Sequence, residues 1–318
     1  MGDGGGVTRD GSGASAAPWA ADRVLTAAAA REAIAGAFPD VDVGSVELLG
    51  SGWEFDAYRT ADDWIFRFPR RAECAALFDA ESVVHELVRP LLAPRFAIPR
   101  VERVGAPGPA FPYRFVGHRM VPGVAADHPA VRTDVPSALD VADLLGRIHS
   151  VSADEAAARG VPRDQDGGAA WLPEAVVAAP RLADLDGVEG PLAWLSGDPS
   201  PPPPYGGPLR LLHDDLCPDH LLVDPESGRL TGLIDWTDAA LGDPVLDFLV
   251  LRAWRGTGFV HAVLEAYPLP VDRDFGLRLD FLTRVVSLVW LDDARRQGGD
   301  VAKHLRWVRR AFEDDGRS

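Results

Sequence analysis

Lysine and asparagine are the scarcest side chains in this sequence. Lys303 is the single lysine among 318 residues, and asparagine does not occur. Any phosphate-gripping or metal-binding role that Lys or Asn would fill must pass to another residue type. Basic residues are few overall. Thirty-two Lys and Arg stand against 48 Asp and Glu, a net charge of −16. That balance argues against a nucleic-acid partner, which needs a basic face. An acidic surface instead concentrates cationic small molecules, although it equally serves solubility alone. The two cysteines, Cys74 and Cys217, make no disulfide framework and fit a reducing compartment. No apolar run reaches the ~18 residues of a membrane span. The opening MGDGGGVTRDGSGASAAPW lacks the basic start and apolar stretch of a secretory signal. The expectation is a cytoplasmic protein with neither a membrane nor a nucleic-acid partner.

Apolar residues make up 47% of the chain and charged residues 25%, which suits one large or two modest globular domains. Residues 1–19 are rich in Gly, Ser, Ala and Asp and read as a disordered tail. An Ala-rich stretch from Ala20 to Phe38 predicts a helix ended by Pro39. Residues 43–52, 53–60 and 63–70 predict three strands, the first entering a glycine turn. Trp64, Phe66 and Phe68 point to one face, Ile65 and Arg67 to the other. A helix over 72–92 follows, then two apolar stretches within 100–121, and Pro122-Gly123 breaks the chain. Beyond it the character turns helical: 137–150, then 169–185 with Pro173 and Pro180 dividing it, then most of the chain from Pro244 onward. The proline-rich run 196–207 predicts an irregular connection. The expected organisation is a tail (1–19), a sheet-rich N-terminal half (20–121) and a helical C-terminal half (122–318).

The chemistry concentrates in LLHDDLCPDHLLVDPESGRLTGLIDWTDAALGDPVLDF, residues 211–248. It reads as strand, polar loop, short strand, turn, strand. Asp215, His220 and Asp235 fall at strand ends, where short connections can bring them together. Such a group suits phosphoryl transfer, which asks for a carboxylate to align and deprotonate a hydroxyl and for donors to Mg²⁺. Other readings stand beside this one. Asp215 could cap a turn. His213, Cys217 and His220 could hold zinc, although their spacing matches no common zinc pattern. Cys217 as a nucleophile has no assigned base. Arg67 could be a solvated strand-edge residue.

The segment resembles the aminoglycoside and macrolide phosphotransferases, relatives of the protein kinases. Their loop H-x-D-x-x-x-x-N, followed by I-D-[WF] and G-D-P-x-x-D, is matched by His213, Asp215 and His220, by Ile234-Asp235-Trp236, and by Gly242-Asp243-Pro244 with Asp247. His220 stands where most members carry Asn, and Asp214 replaces a small glycine. DWIFRFPRRAE resembles the stretch in which an arginine, here Arg67, replaces the phosphate-binding lysine and pairs with a helix glutamate, here Glu81 (Glu86 being a weaker alternative). The resemblance spans about residues 44–296.

It implies an α+β, two-lobed protein-kinase-like fold, with a small antiparallel-sheet N-lobe and a larger, mainly helical C-lobe. The implied reaction moves the γ-phosphate of ATP or GTP, with Mg²⁺, onto a hydroxyl of a macrolide or aminoglycoside, macrolide enzymes being closest in motif. A metabolic small-alcohol kinase or an inactive nucleotide-binding protein of the same fold are the alternatives. By the same resemblance the catalytic group is Asp215 as base with His213, Arg67 and Glu81. His220 and Asp235 would hold the metal. Gly50, Ser51 and Gly52 would cover the nucleotide with backbone N–H groups, and Arg119, Met120 and Val121 would meet the purine. Asp243 and Asp247 read as braces for the loop. Trp236, Asp238, Trp290, Asp292 and Asp293 are substrate candidates, with Trp290 equally a core residue on an apolar helix stripe. Acidic groups there would suit a cationic small molecule.

Overall fold

The computed structural model describes residues 21–132 and 134–313, so the expected tail over 1–19 lies outside the described residues. Backbone packing divides the chain into two compact units: residues through Ala76 with Val101–Arg119, and Leu77–Arg100 with Met120 onward. The division differs from a single cut near 121 because segment 77–100 packs with the C-terminal unit.

The first unit opens with α1 (Ala27–Ala37), shorter than expected because Thr26 caps it, its hydroxyl accepting the Ala29 N–H at 3.2 Å. Five antiparallel strands follow: β1 (Val46–Ser51), β2 (Phe55–Thr60), β3 (Trp64–Pro69), β4 (Arg103–Gly105) and β5 (Phe115–Arg119), in the order β1-β2-β3-β5-β4. Trp64, Phe66 and Phe68 pack with Ile34, Tyr58 and Phe115 in one core. The Phe68 and Phe115 rings stack at 4.5 Å. As the central strand β3 is paired on both edges, and Ile65 and Arg67 on its other face are also buried. Arg67 is therefore no solvated edge residue.

The second unit holds α2 (Leu77–Leu92), α3 (Ala138–His149), α4 (Ala153–Ala158), α5 (Trp171–Leu182), α6 (Glu189–Ser196), α7 (Leu246–Arg255), α8 (Thr257–Ala266), α9 (Phe275–Gln297) and α10 (Val301–Phe312). Val84, Val88 and Leu92 of α2 share a core with Leu144, Leu145 and Ile148 of α3, which is why α2 belongs here. The expected division of 169–185 does not occur, and α5 is one helix. Pro173 sits in its first turn, where an N–H would have no helical acceptor, and Pro180 sits in its last. Two small sheets complete the unit: β6 (Val124–Ala125), β8 (Leu221–Val223) and β9 (Leu230–Leu233) in one, β7 (Arg210–Leu211) and β10 (Leu241–Gly242) in the other. The buried leucines 211, 212, 221, 222 and 233 seat these strands in the core and fix both ends of loop 213–220. Among the described residues no helix is long and apolar enough to cross a membrane.

Gly117 of β5 lies opposite Phe66 of β3, and a Cβ there would come within 2.4 Å of the Phe66 ring. That ring is held among other aromatics and has little room to retreat. Gly117→Ala is expected to lower unfolding free energy by about 1–3 kcal/mol, measured by denaturant unfolding.

Candidate active site

Loop 213–220 joins β7 to β8, and its first turn is organised by a carboxylate from elsewhere in the chain. Asp247, in the first turn of α7, is buried and uses both oxygens. Its Oδ2 accepts the His213 N–H at 3.0 Å and His149 Nε2 at 2.9 Å, and its Oδ1 accepts the Asp214 N–H at 2.7 Å. Burial alone would raise the pKa of Asp247, but the His149 hydrogen bond and neighbouring donors outweigh it and hold the group below its ordinary value. The far side of His149 meets the Tyr267 hydroxyl, at 2.6 Å from Nδ1. His213 is fully buried and donates from Nε2 to the Ile234 carbonyl at 3.1 Å, tying the loop to the strand before Asp235. Burial lowers the His213 pKa, so the ring is neutral. It braces the loop and has no path to a substrate.

Asp214 and Asp235 both have left-handed backbone, with φ of 64° and 61°. A left-handed position accounts for the glycine usual at 214, and aspartate is among the few other residues that tolerate it. The Asp214 carboxyl is pushed up to about 8, first by burial and then by the carboxylates of Asp247, Asp164, Asp238 and Asp215.

Asp215, His220 and Asp235 come together. The Asp215 side chain is about a third exposed, at 36%. Its Oδ1 accepts the Cys217 thiol at 2.8 Å, and its Oδ2 lies 3.4 Å from His220 Nδ1. His220 Nδ1 donates to the Asp215 carbonyl at 2.9 Å, while Nε2 lies 3.8 Å from Asp235 Oδ2. One imidazole thus spans two carboxylates twenty positions apart in the chain. The Thr237 hydroxyl donates to Asp235 Oδ1 at 2.8 Å. Burial would lower the His220 pKa, but Asp215, Asp235 and Asp219 override it and the net direction is up. Burial raises the Cys217 thiol well above its usual value, and Asp215 adds to this. Cys217 is therefore a protonated donor to Asp215 and not a resting thiolate nucleophile.

Several expected residues stand otherwise. The Trp236 ring is 1% exposed, and its indole N–H faces the Leu233 carbonyl at 3.4 Å, so it offers no face to a substrate. Its backbone N–H points instead to Glu81 Oε1 at 3.4 Å. Glu81 is buried on α2, whereas Glu86 is exposed and paired with Arg159. Asp292 is buried and held by the Arg181 fork at 2.8 and 2.5 Å, which closes it to a ligand. Trp290 is half-buried against Trp307, with ring centroids 5.8 Å apart. Asp238 is exposed, and Asp293 is half-buried at 3.6 Å from Arg296. The Gly52 N–H is spent inside the β1–β2 turn on the Phe55 carbonyl at 2.9 Å, and the Ser51 hydroxyl bonds Asp56 and Arg70. Gly52 therefore cannot offer its N–H to phosphate as expected, and Gly50 sits at a β-bulge. The Arg67 guanidinium lies 4.4 Å from the Phe55 ring centroid. Arg119 stacks on Trp64 at 4.1 Å, Met120 is exposed and Val121 is buried.

Sequence reasoning missed the partners of the two braces. His149 and Tyr267 serve Asp247. Arg278 of α9 grips Asp243 at 2.6 Å, while Asp243 Oδ1 accepts the Val245 N–H at 3.0 Å. The available signal was a polar residue at a core-facing helical position, His149 four after Leu145, and Arg278 three after Phe275 and four before Leu282.

The family model described as phosphotransferase enzyme family matches residues 45–276. The chain is 28% identical over 241 residues to the uncharacterised protein YcbJ of Bacillus subtilis strain 168, covering 70% of this chain and 74% of that one. The fold is similar to that of an aminoglycoside 2'-phosphotransferase-IIIa solved as its GDP complex, with TM-score 0.67 and 23% identity over 90% of this chain and 98% of that one. It is also similar to a type I macrolide 2'-phosphotransferase, with TM-score 0.63 and 19% identity over 92% and 99%. These likenesses establish an α+β, protein-kinase-like fold.

Two measurements check the loop's electrostatics. Asp247→Ala strands buried donors and is expected to lower unfolding free energy by about 3–5 kcal/mol in denaturant titration. Asp214 has a folded pKa above its unfolded one, so its contribution is fully present below the ordinary carboxylate value and is lost as pH rises through about 8. Asp214→Gly removes that loss and suits the left-handed backbone. Its thermal midpoint should exceed that of the parent protein by more at about pH 8.5 than at about pH 5.

Proposed function

Because the chain belongs to the phosphotransferase enzyme family, we propose that it transfers the γ-phosphate of ATP or GTP to a hydroxyl of an antibiotic, a macrolide or an aminoglycoside. The observation that carries this reading is the convergence of Asp215 and Asp235 on opposite nitrogens of His220. Asp215 is exposed enough to meet an alcohol, and the Cys217 thiol holds one of its oxygens. It aligns the acceptor hydroxyl and takes its proton. Transfer then breaks the bond between the γ-phosphorus and its bridging oxygen and forms one to the acceptor oxygen.

Asp235 and His220 suit Mg²⁺, which keeps few protein ligands and takes the rest from phosphate and water. The carboxylate is the harder donor and the imidazole the softer. When bound, the ion would neutralise charge on the phosphate oxygens. In a chain with one lysine, near its C-terminus, the buried Arg67 takes the non-transferred phosphates, its fork of donors matching phosphate oxygens. Glu81 keeps the companion role that the resemblance assigns it. The backbone of Arg119, Met120 and Val121 serves the purine. Asp238 and Asp293, with the net charge of −16, favour a cationic acceptor. The His220 motif and the PRRAE stretch favour a macrolide, and the cytoplasm, where ATP and GTP are plentiful, is the place of action.

The acceptor is identified by incubating the protein with Mg²⁺, ATP or GTP and a panel of macrolides, aminoglycosides and amino alcohols. Mass spectrometry then reads the gain of one phosphoryl group. Transfer confined to amino alcohols would replace the antibiotic reading with a metabolic one. With the acceptor in hand, Asp215→Ala is expected to lower kcat at least about 100-fold, while the thermal shift on nucleotide binding is retained. Unchanged turnover would remove Asp215 as the base.

A further inference from the structure

Cys217 has no part in the phosphate chemistry beyond its hydrogen bond, yet it stands in a donor set that Mg²⁺ does not call for. The carboxylate of Asp215, the sulfur of Cys217 and an imidazole nitrogen of His220 all lie within 4.8 Å of one another. The sulfur is 2.8 Å from Asp215 Oδ1, and His220 Nδ1 is 3.4 Å from Asp215 Oδ2. We propose that Asp215, Cys217 and His220 form a site for a thiophilic divalent cation, Zn²⁺ foremost, whose binding takes Asp215 out of catalysis. This set is distinct from the sequence-level candidate that used His213, whose ring is fully buried.

Three physical arguments support it. The first is geometric. Zinc binds sulfur at about 2.3 Å and nitrogen or oxygen at about 2.0–2.2 Å, which puts neighbouring ligand atoms of a tetrahedral site roughly 3.3–3.7 Å apart. The sulfur–oxygen contact is shorter than that range and the nitrogen–oxygen contact, made to the other carboxylate oxygen, falls within it, so side-chain rotations close the three donors on one ion. The second is chemical. A mixed nitrogen, sulfur and oxygen set is one that zinc accepts, whereas Mg²⁺ prefers oxygen alone. The ion takes the place that the thiol proton now holds between sulfur and carboxylate, and that proton passes to solvent. His220 ligates through Nδ1 by moving its proton to Nε2, where Asp235 faces it at 3.8 Å, and gives up the hydrogen bond from Nδ1 to the Asp215 carbonyl in doing so. The third is access and preorganisation. Asp215 and His220 are partly exposed, so a cation can enter and keep a fourth position for water. The loop is already held by Asp247 and His213, so binding requires little ordering. The charge of Lys303, which lies near Cys217, is balanced by Asp127 at 3.0 Å.

Binding rests on the geometry alone, and the loss of catalysis rests on the phosphotransferase reading. The test for binding uses the full chain, reduced, without nucleotide, titrated with Cd²⁺ as a spectroscopic substitute for zinc. The expected result is a thiolate-to-cadmium charge-transfer band that saturates at one equivalent. Zn²⁺ should bleach it and excess Mg²⁺ should not. Cys74→Ser should keep the band, Cys217→Ser should abolish it, and His220→Gln should weaken Cd²⁺ affinity at least about tenfold. No band in the parent protein, or a band that survives Cys217→Ser, overturns the site. If circular dichroism shows Cys217→Ser unfolded, the pair Cys74→Ser and His220→Gln decides the matter by the same criteria. For the consequence, Zn²⁺ at concentrations that saturate the site should abolish phosphate transfer measured with excess Mg²⁺. Undiminished transfer at full occupancy overturns the inhibition. Absence of transfer to every acceptor, with the cadmium band intact, overturns the functional reading and leaves the metal site standing.

Discussion

The buried carboxylate of Asp247 is the contact on which the catalytic loop depends. Three donors converge on it: a ring nitrogen of His149 at the end of α3 and two consecutive backbone N–H groups, those of His213 and Asp214. Two adjacent amides are held on one carboxylate, and the chain then leaves them through a left-handed Asp214. That path turns the next residue, Asp215, away from the core and toward solvent. A partly exposed carboxylate is thus held in place by a buried one. The same logic repeats one layer out, where Arg278 grips Asp243 and so fixes the start of α7, the helix that carries Asp247.

Carboxylates crowd this part of the chain, and what distinguishes them is the supply of donors. Asp247 is the most deeply buried, yet it stays ionised because every lone-pair direction in use meets an N–H. Asp214 has its backbone N–H engaged and four carboxylates around it, and its carboxyl is raised to about 8. Asp215 has a thiol on one oxygen and an imidazole near the other. His220 gains positive character from the same crowding. A cation brought to this region, whether a proton or a metal ion, enters a field already arranged for it.

Much of the fold was legible because it rests on local periodicity. The alternation of Trp64, Phe66 and Phe68 marked the strand whose aromatics build the first unit's core, and the leucine spacing of 137–150 marked α3. The motif residues were legible because short connections left them few places to go. What escaped was long-range. Nothing near residues 77–100 says that α2 packs with the C-terminal unit, since that depends on Leu144, Leu145 and Ile148 far along the chain. Trp236 read as a substrate contact because tryptophan next to the motif aspartate Asp235 is chemically suggestive. Its burial is set by packing that includes His213 at 4.8 Å, a contact no spacing rule predicts. Asp292 looked open on its own helix and is closed by Arg181 of α5, more than a hundred positions away. The β1–β2 turn was read correctly as a turn, but turn formation itself consumed the Gly52 N–H assigned to phosphate.

The absence of lysine and asparagine from the motif positions acquires a physical reading once the loop is seen whole. An asparagine at 220 would offer one amide oxygen and one NH₂ group, neither with appreciable basicity. A histidine there carries two ring nitrogens on opposite edges, and the structure uses both, one toward Asp215 and one toward Asp235. The substitution therefore links Asp215 to Asp235 through a single titratable ring. It also introduces a softer donor, and the neighbouring Cys217 supplies another. In the proposed reading, a loop that would take a hard cation thereby acquires, on the other side of the same imidazole, donors that a soft one prefers. Because His220 serves both sets, occupation of either draws on the same nitrogen-bearing ring. Selectivity between the two cations then follows from which carboxylate shares the ion with it: Asp235, whose second oxygen faces the ring alongside hydroxyl support from Thr237, or Asp215, whose oxygen is already shared with sulfur.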